Sequence, residues 1–187
     1  MFHDCRLLSP LYADCRRHLK RQRCKKLAEQ QKLTFPESAR GTYILSIYLA
    51  LPAVLTIGRL GTFPFLGGWY TYVGSAFGAG GLRGRLNHHL SQKHSLHWHI
   101  DYLRQSASIS EIWYLASETA YEHMWASLLL TMPQASIPVN RFGASDCKCP
   151  SHLFYFPARP SFDSFYALTR THGDVRCWQN RLPDDET

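Results

Sequence analysis

The chain has 187 residues, of which 45% are hydrophobic and 19% charged. That balance excludes disorder of the whole chain, and it lets one domain plus an appendage bury a core without staples. Six cysteines are too few for a cystine-stapled scaffold and read as reduced thiols of an intracellular protein, in the cytoplasm or nucleoid. The formal charge of +7 is uneven: residues 1–40 carry +6, residues 41–105 carry +4 and residues 106–187 carry −3. A positive first half calls for an anionic partner, nucleic acid before an acidic membrane surface.

Residues 1–40 read as a basic arm. Arg16, Arg17, Lys20, Arg21, Arg23, Lys25 and Lys26 lie among good helix formers, and Phe35-Pro36 should stop the helix. The start, Met1-Phe2-His3-Asp4-Cys5, has no apolar stretch and no small-residue cleavage site, so no secretory signal is expected. An organellar transit peptide stays open only through the arginines. Residues 41–58 carry no charge, which reaches the length threshold for a membrane span. Pro52 interrupts the run, and Thr42, Tyr43, Ser46, Tyr48 and Thr56 suit buried strands better. No membrane partner is expected.

Strands are predicted at 41–49, with Tyr43, Leu45, Ile47 and Leu49 on one face, and at 54–58 and 69–75. Gly61, Pro64 and Gly67-Gly68 separate them. A glycine-rich turn at 77–81 leads into a helix at 82–90; it is not a Walker loop, because no Gly-Lys-Ser/Thr follows. A helix at 96–105 capped by Ser95, a strand at 109–115, a helix at 118–130 and a strand at 152–156 come next. Pro157 and Pro160 open a short C-terminal helix and an acidic tail. The order gives an α/β (α+β) fold, with a small antiparallel sheet of about three strands flanked by helices. The arm would span 1–40, the domain 41–157 and a C-terminal extension 158–187.

On that layout Tyr43 and Tyr72 come from two strands of one sheet. Arg85 and His89 lie four residues apart on the next helix and point the same way. Glu122 falls on a later, mostly apolar helix. This is a workable set for cutting a phosphodiester. The arginine neutralises charge gathering on phosphorus, the carboxylate holds a hard divalent cation, and a tyrosine or the histidine takes a proton from water.

Gly41-Thr42-Tyr43, Tyr72-Val73-Gly74, Arg85 with His89, and then Glu122 together resemble the GIY-YIG nuclease superfamily. YVGSAFGAGGL at 72–82, HWHIDYL at 97–103 and FGASDCKCPSHLF at 142–154 resemble a poorly characterised subgroup of it. Members of that subgroup occur alone or joined to DNA-repair glycosylase domains. The resemblance covers about residues 41–156. It implies that Tyr43 and Tyr72 are the signature tyrosines, Arg85 the contact to the scissile phosphate, and His89 an organiser of the nucleophile. Glu122 would be the carboxylate that binds Mg2+ or, alternatively, Mn2+. Thr42 and Val73 replace the isoleucines of the two triplets and keep β-branching. The long gap between Tyr43 and Tyr72 implies an extra strand or loop. Glu118 lies one helical turn before Glu122 and competes for the metal, and Asn140 is available as the family's downstream asparagine.

The expected function is therefore a metal-dependent endonuclease acting on DNA more than RNA, alone or beside a repair protein. Arg16, Arg17, Lys20, Arg21 and Arg83 would supply sequence-independent phosphate contacts. No base-reading helix or finger is evident, so structure or damage would be recognised instead. The alternatives are a binding module without chemistry and a metal or thiol sensor centred on Cys147, Cys149 and His152. That cluster has good ligand types but lacks the second ligand pair of a usual zinc site. It reads as a turn packed near the active site, with Asp146 or His152 assisting, and Cys5, Cys15 and Cys24 would join it only if the arm folded back. His97, His99 and Asp101 spread over different helix faces and make a poor metal site.

Overall fold

The computed structural model describes residues 39–91 and 96–180. The basic arm with Arg16, Arg17, Lys20, Arg21 and its three cysteines, the capping role of Ser95, and the acidic tail all lie outside the described residues.

The uncharged run folds as strand β1 (Gly41–Leu49), a turn, and β2 (Ala53–Ile57). β2 pairs with β3 (Gly61–Phe65) as a separate two-stranded hairpin, which fills the long gap between the two tyrosines. Pro64, expected as a separator, lies inside β3 opposite Val54. A hairpin strand with a free edge tolerates the missing N–H. Strand β4 (Gly68–Ser75) then returns antiparallel to β1. Among the described residues no helix is long and apolar enough to cross a membrane.

Helix α1 (Gly81–Leu90) and helix α2 (His99–Arg104) precede β5 (Ser108–Ala116), the other neighbour of β1. Helix α3 (Glu122–Thr131), β6 (Leu153–Phe156), helix α4 (Phe162–Leu168) and β7 (Arg176–Gln179) follow among the described residues. The sheet is antiparallel and ordered β6-β4-β1-β5-β7. It has five strands where about three were expected. Of the two outermost, β6 answers the strand expected at 152–156, whereas β7, four residues long, is too short for a periodic signal. The segment expected as an extension supplies α4 and β7 to this same sheet and core.

Because β1 is central, both of its faces are covered, and Gly41 to Ile47 are all buried. Ile44 joins Val73, Trp113, Trp125, Phe154 and Phe165 in an apolar core that α3 and α4 roof. Tyr43 faces the other way, toward α1, where it meets His89. Successive strand residues point to opposite faces, so one strand serves both the core and the polar side.

Helix α2 starts at His99, not at 96. Its capping group is Asp101, whose carboxylate accepts from the N–H groups of Trp98 at 2.8 Å and His97 at 2.9 Å. Helix α3 starts at Glu122, not at 118. The Ser117 hydroxyl accepts from the Thr119 N–H, and the buried Thr42 hydroxyl accepts from the Tyr121 N–H, both at 3.0 Å. The Ser117 bond is local and gives the backbone an alternative to a helical turn. Thr42 therefore holds the start of α3 to β1, a task its β-branching did not disclose.

Candidate active site

The β1–β4 register sets Tyr43 opposite Gly74 and Leu45 opposite Tyr72. The Tyr43 ring and hydroxyl lie against Gly74, where an added Cβ would collide with them. A side chain at that position would displace the ring, so the glycine is a steric requirement of the tyrosine. The Tyr43 hydroxyl reaches His89 Nε2 at 2.7 Å. His89 is buried on α1, and its Nδ1 has no hydrogen-bond partner among the described residues.

Burial controls the protonation here. It drives the His89 pKa down to about 3, with Arg104 adding to the effect, so the ring is neutral at ordinary pH. Burial likewise raises Tyr43, reinforced by Tyr72 and opposed by Arg85. Tyr72 is raised mainly by burial and next by the nearby Glu122. Both phenols are held as hydroxyls.

Arg85, one turn before His89, stacks its guanidinium 4.1 Å from the centre of the Trp98 ring. A planar cation on indole is fixed in direction while its N–H groups stay available for an anion. Glu122 opens α3 and places Oε1 3.3 Å from His152 Nδ1. Tyr43, Tyr72, Arg85, His89 and Glu122 line one polar cleft of about 230 Å³, together with Trp98, His123, Gly143, Asp146 and Cys147.

The five residues singled out for chemistry thus converge from β1, β4, α1 and α3. Glu118 lies outside the cleft, exposed and paired with Arg40 at 3.3 Å. Asn140 is exposed and does not line the cleft. Arg83 sits half-buried on α1 and does not line it either.

Three features of the site were not read from the sequence. Trp98 is the platform under Arg85. Gly143, at φ 71°, donates its N–H to His99 Nδ1 at 3.0 Å, and a Cβ there would stand 2.8 Å from the Tyr72 ring. Thus the 97–103 motif closes a loop over Tyr72, with His99 as acceptor and Asp101 as cap. His123 stands next to Glu122 and completes a cluster with the two cysteines.

A family described as "Domain of unknown function DUF123" matches residues 42–172. That is well over half of the chain. The chain belongs to the DUF123 family. No curated protein and no solved structure matches it. The DUF123 match starts inside β1 and ends beyond α4, so it holds the whole cleft. It also contains the loop that closes over Tyr72 and the apolar roof formed by α3 and α4.

Proposed function

We propose that this DUF123 protein is a metal-dependent endonuclease of the GIY-YIG type that hydrolyses phosphodiester bonds in DNA. The observation that carries this reading is the convergence of Tyr43, Tyr72, Arg85, His89 and Glu122, far apart in the chain, on one polar cleft. A hard divalent cation suits the donor set, because Glu122 is a half-buried carboxylate at the cleft and Asp146 lines the same wall. Held by Glu122, Mg2+ or Mn2+ would supply positive charge beside the scissile phosphate.

The chain's own groups do the rest. Arg85, held by Trp98, faces the phosphate and neutralises the charge that gathers on its oxygens. The Tyr43 hydroxyl, held by its hydrogen bond to neutral His89 Nε2 2.7 Å away, orients the attacking water, whose proton passes to solvent. His89 must be neutral to accept that hydrogen bond, and burial keeps it so. Tyr72 keeps its hydroxyl beside Glu122 and orients what is bound there. Arg83 and the arm residues Arg16, Arg17, Lys20 and Arg21 are assigned to phosphate contacts, with affinity falling steeply as salt rises. The assignment includes recognition of DNA structure or damage, in company with a repair protein.

The test is nicking of plasmid and branched DNA at low salt with Mg2+ or Mn2+. Glu122→Ala should lower the rate by about 10²–10³-fold. Equal cleavage by wild type and variant would sink the site assignment. A second reading, a nucleic-acid-binding module without chemistry, draws on the burial that keeps both tyrosines protonated. It predicts salt-sensitive binding that neither Glu122→Ala nor Mg2+ changes.

A further inference from the structure

We propose that His123, Cys147, Cys149 and His152 form a structural zinc site that fastens the 141–152 loop to the start of α3. The ligand atoms of these four residues all lie within 4.8 Å of one another. Cys147 Sγ is 3.4 Å from His152 Nε2, and Cys149 Sγ is 3.3 Å from His123 Nδ1. A tetrahedral zinc has bonds of about 2.3 Å to sulfur and about 2.0–2.1 Å to nitrogen, which places neighbouring S and N ligands about 3.6 Å apart. The two observed separations come within a few tenths of an ångström of that value. Two thiols and two imidazoles make a closed set of four soft and borderline donors, the composition of structural sites rather than catalytic ones.

The surroundings are built for such a site. Arg141 adopts a left-handed backbone at φ 63° and turns its guanidinium onto the carbonyls of Cys147 at 2.5 Å and Cys149 at 3.2 Å. Its own N–H donates to Pro150 O at 2.6 Å. His152 is anchored at both backbone groups, donating to Phe142 O and accepting from the Val73 N–H. The loop is thus held in shape by groups that are not ligands, which is what a preorganised site needs. His152 turns Nε2 to the thiols and Nδ1 to Glu122 Oε1 at 3.3 Å. Ligating imidazoles commonly have a carboxylate on the far side of the ring, and Glu122 occupies that position beside Nδ1 without hydrogen-bonding it. Zinc would take both thiols as thiolates.

The sequence held three of these ligands in one short cluster. The fourth comes from α3, 24 residues before Cys147, and no local spacing marks it. The site shares a wall of the cleft through His123 and Cys147, but zinc binding can hold or fail without the nuclease reading.

Zinc content of the full chain, purified without chelator, should be about one per molecule. Replacing it by Co2+ should produce a thiolate charge-transfer band and the visible bands of a tetrahedral site. Cys149→Ser and His123→Ala should each lose the metal, and Cys177→Ser should keep it. His123 is exposed, so His123→Ala tests the site even if the cysteine variant fails to fold. The proposal is overturned by reduced wild type that holds no zinc and gives no cobalt spectrum. It is equally overturned if zinc persists in both His123→Ala and Cys149→Ser.

Discussion

The two faces of the central sheet follow opposite rules, although the same strands build both. On one face Ile44, Val73 and Trp113 meet Trp125 and Phe165, and the cluster is apolar throughout. On the other, one residue away along each strand, Tyr43 and Tyr72 meet His89 and Arg85 across a polar cleft. The first face carries few polar groups, although Ser46 and Thr71, opposite each other on β1 and β4, each bury a hydroxyl without a partner among the described residues. The second also buries a histidine nitrogen without a partner and sets a half-buried carboxylate beside a histidine, arrangements that oppose folding. Packing stability is concentrated on the apolar face, and the chemistry proposed above on the polar one.

The largest effect that separates them is an acid effect. His89 titrates near 3 in the folded protein and near 6.5 when unfolded. Between those values the unfolded chain takes up a proton that the folded chain refuses. The neutral ring therefore contributes its full share above the unfolded value, and stability is lost as pH falls toward 3, by roughly 4–5 kcal/mol at the limit. Denaturant midpoints measured from pH 7 to pH 3 should fall more steeply for wild type than for His89→Gln. Parallel profiles would show that His89 is not held neutral by the fold.

The next effect lies on the apolar face. Trp125 is wholly buried, packs edge-on against Phe165 at 5.2 Å and donates Nε1 to His172 Nδ1 at 3.2 Å. Trp125→Ala removes this packing, leaves a cavity and strands the His172 nitrogen. It should cost about 3–5 kcal/mol of unfolding free energy. Its cleavage rate should match wild type at temperatures where it remains folded. Glu122→Ala, three residues earlier, should do the reverse: little change in stability, since its ion pair is partly exposed, and loss of cleavage. If both variants lose stability alike, the division between the faces fails.

What could be read from the chain follows the same division. Long elements with a clear period were legible: β1, β4, β5 and α1 lie within a residue of where the alternation and the helix pattern put them. The start of α3 was not, because it is set by Thr42, 79 residues earlier in the chain. β7 was missed because Arg176–Gln179 is a strand only through pairing with β5. In the cleft, Tyr43, Tyr72, Arg85, His89 and Glu122 were legible as an ordered set, but Trp98 and His123 were not. Each takes its role from a contact across the fold: Trp98 under Arg85, His123 beside Cys149.

The smallest effect asks whether Arg85 needs its direction or only its charge. Trp98 touches Arg85 as a cation–π platform, and its ring also meets His88 edge-on at 4.6 Å. Replacing indole by an aliphatic side chain keeps the region apolar and removes the platform, a change of about 1 kcal/mol. If direction matters, Trp98→Leu should slow cleavage at saturating DNA by roughly fivefold, with stability nearly unchanged, and Trp98→Phe should recover part of the rate. Arg85→Lys separates the two properties from the other side, since an ammonium keeps the charge but not the planar fork. A guanidinium that acts by direction makes the lysine variant slower than Trp98→Leu. One that acts by charge leaves the lysine variant close to wild type and Trp98→Leu without effect, and the polar face would then need its arginine only as a source of positive potential.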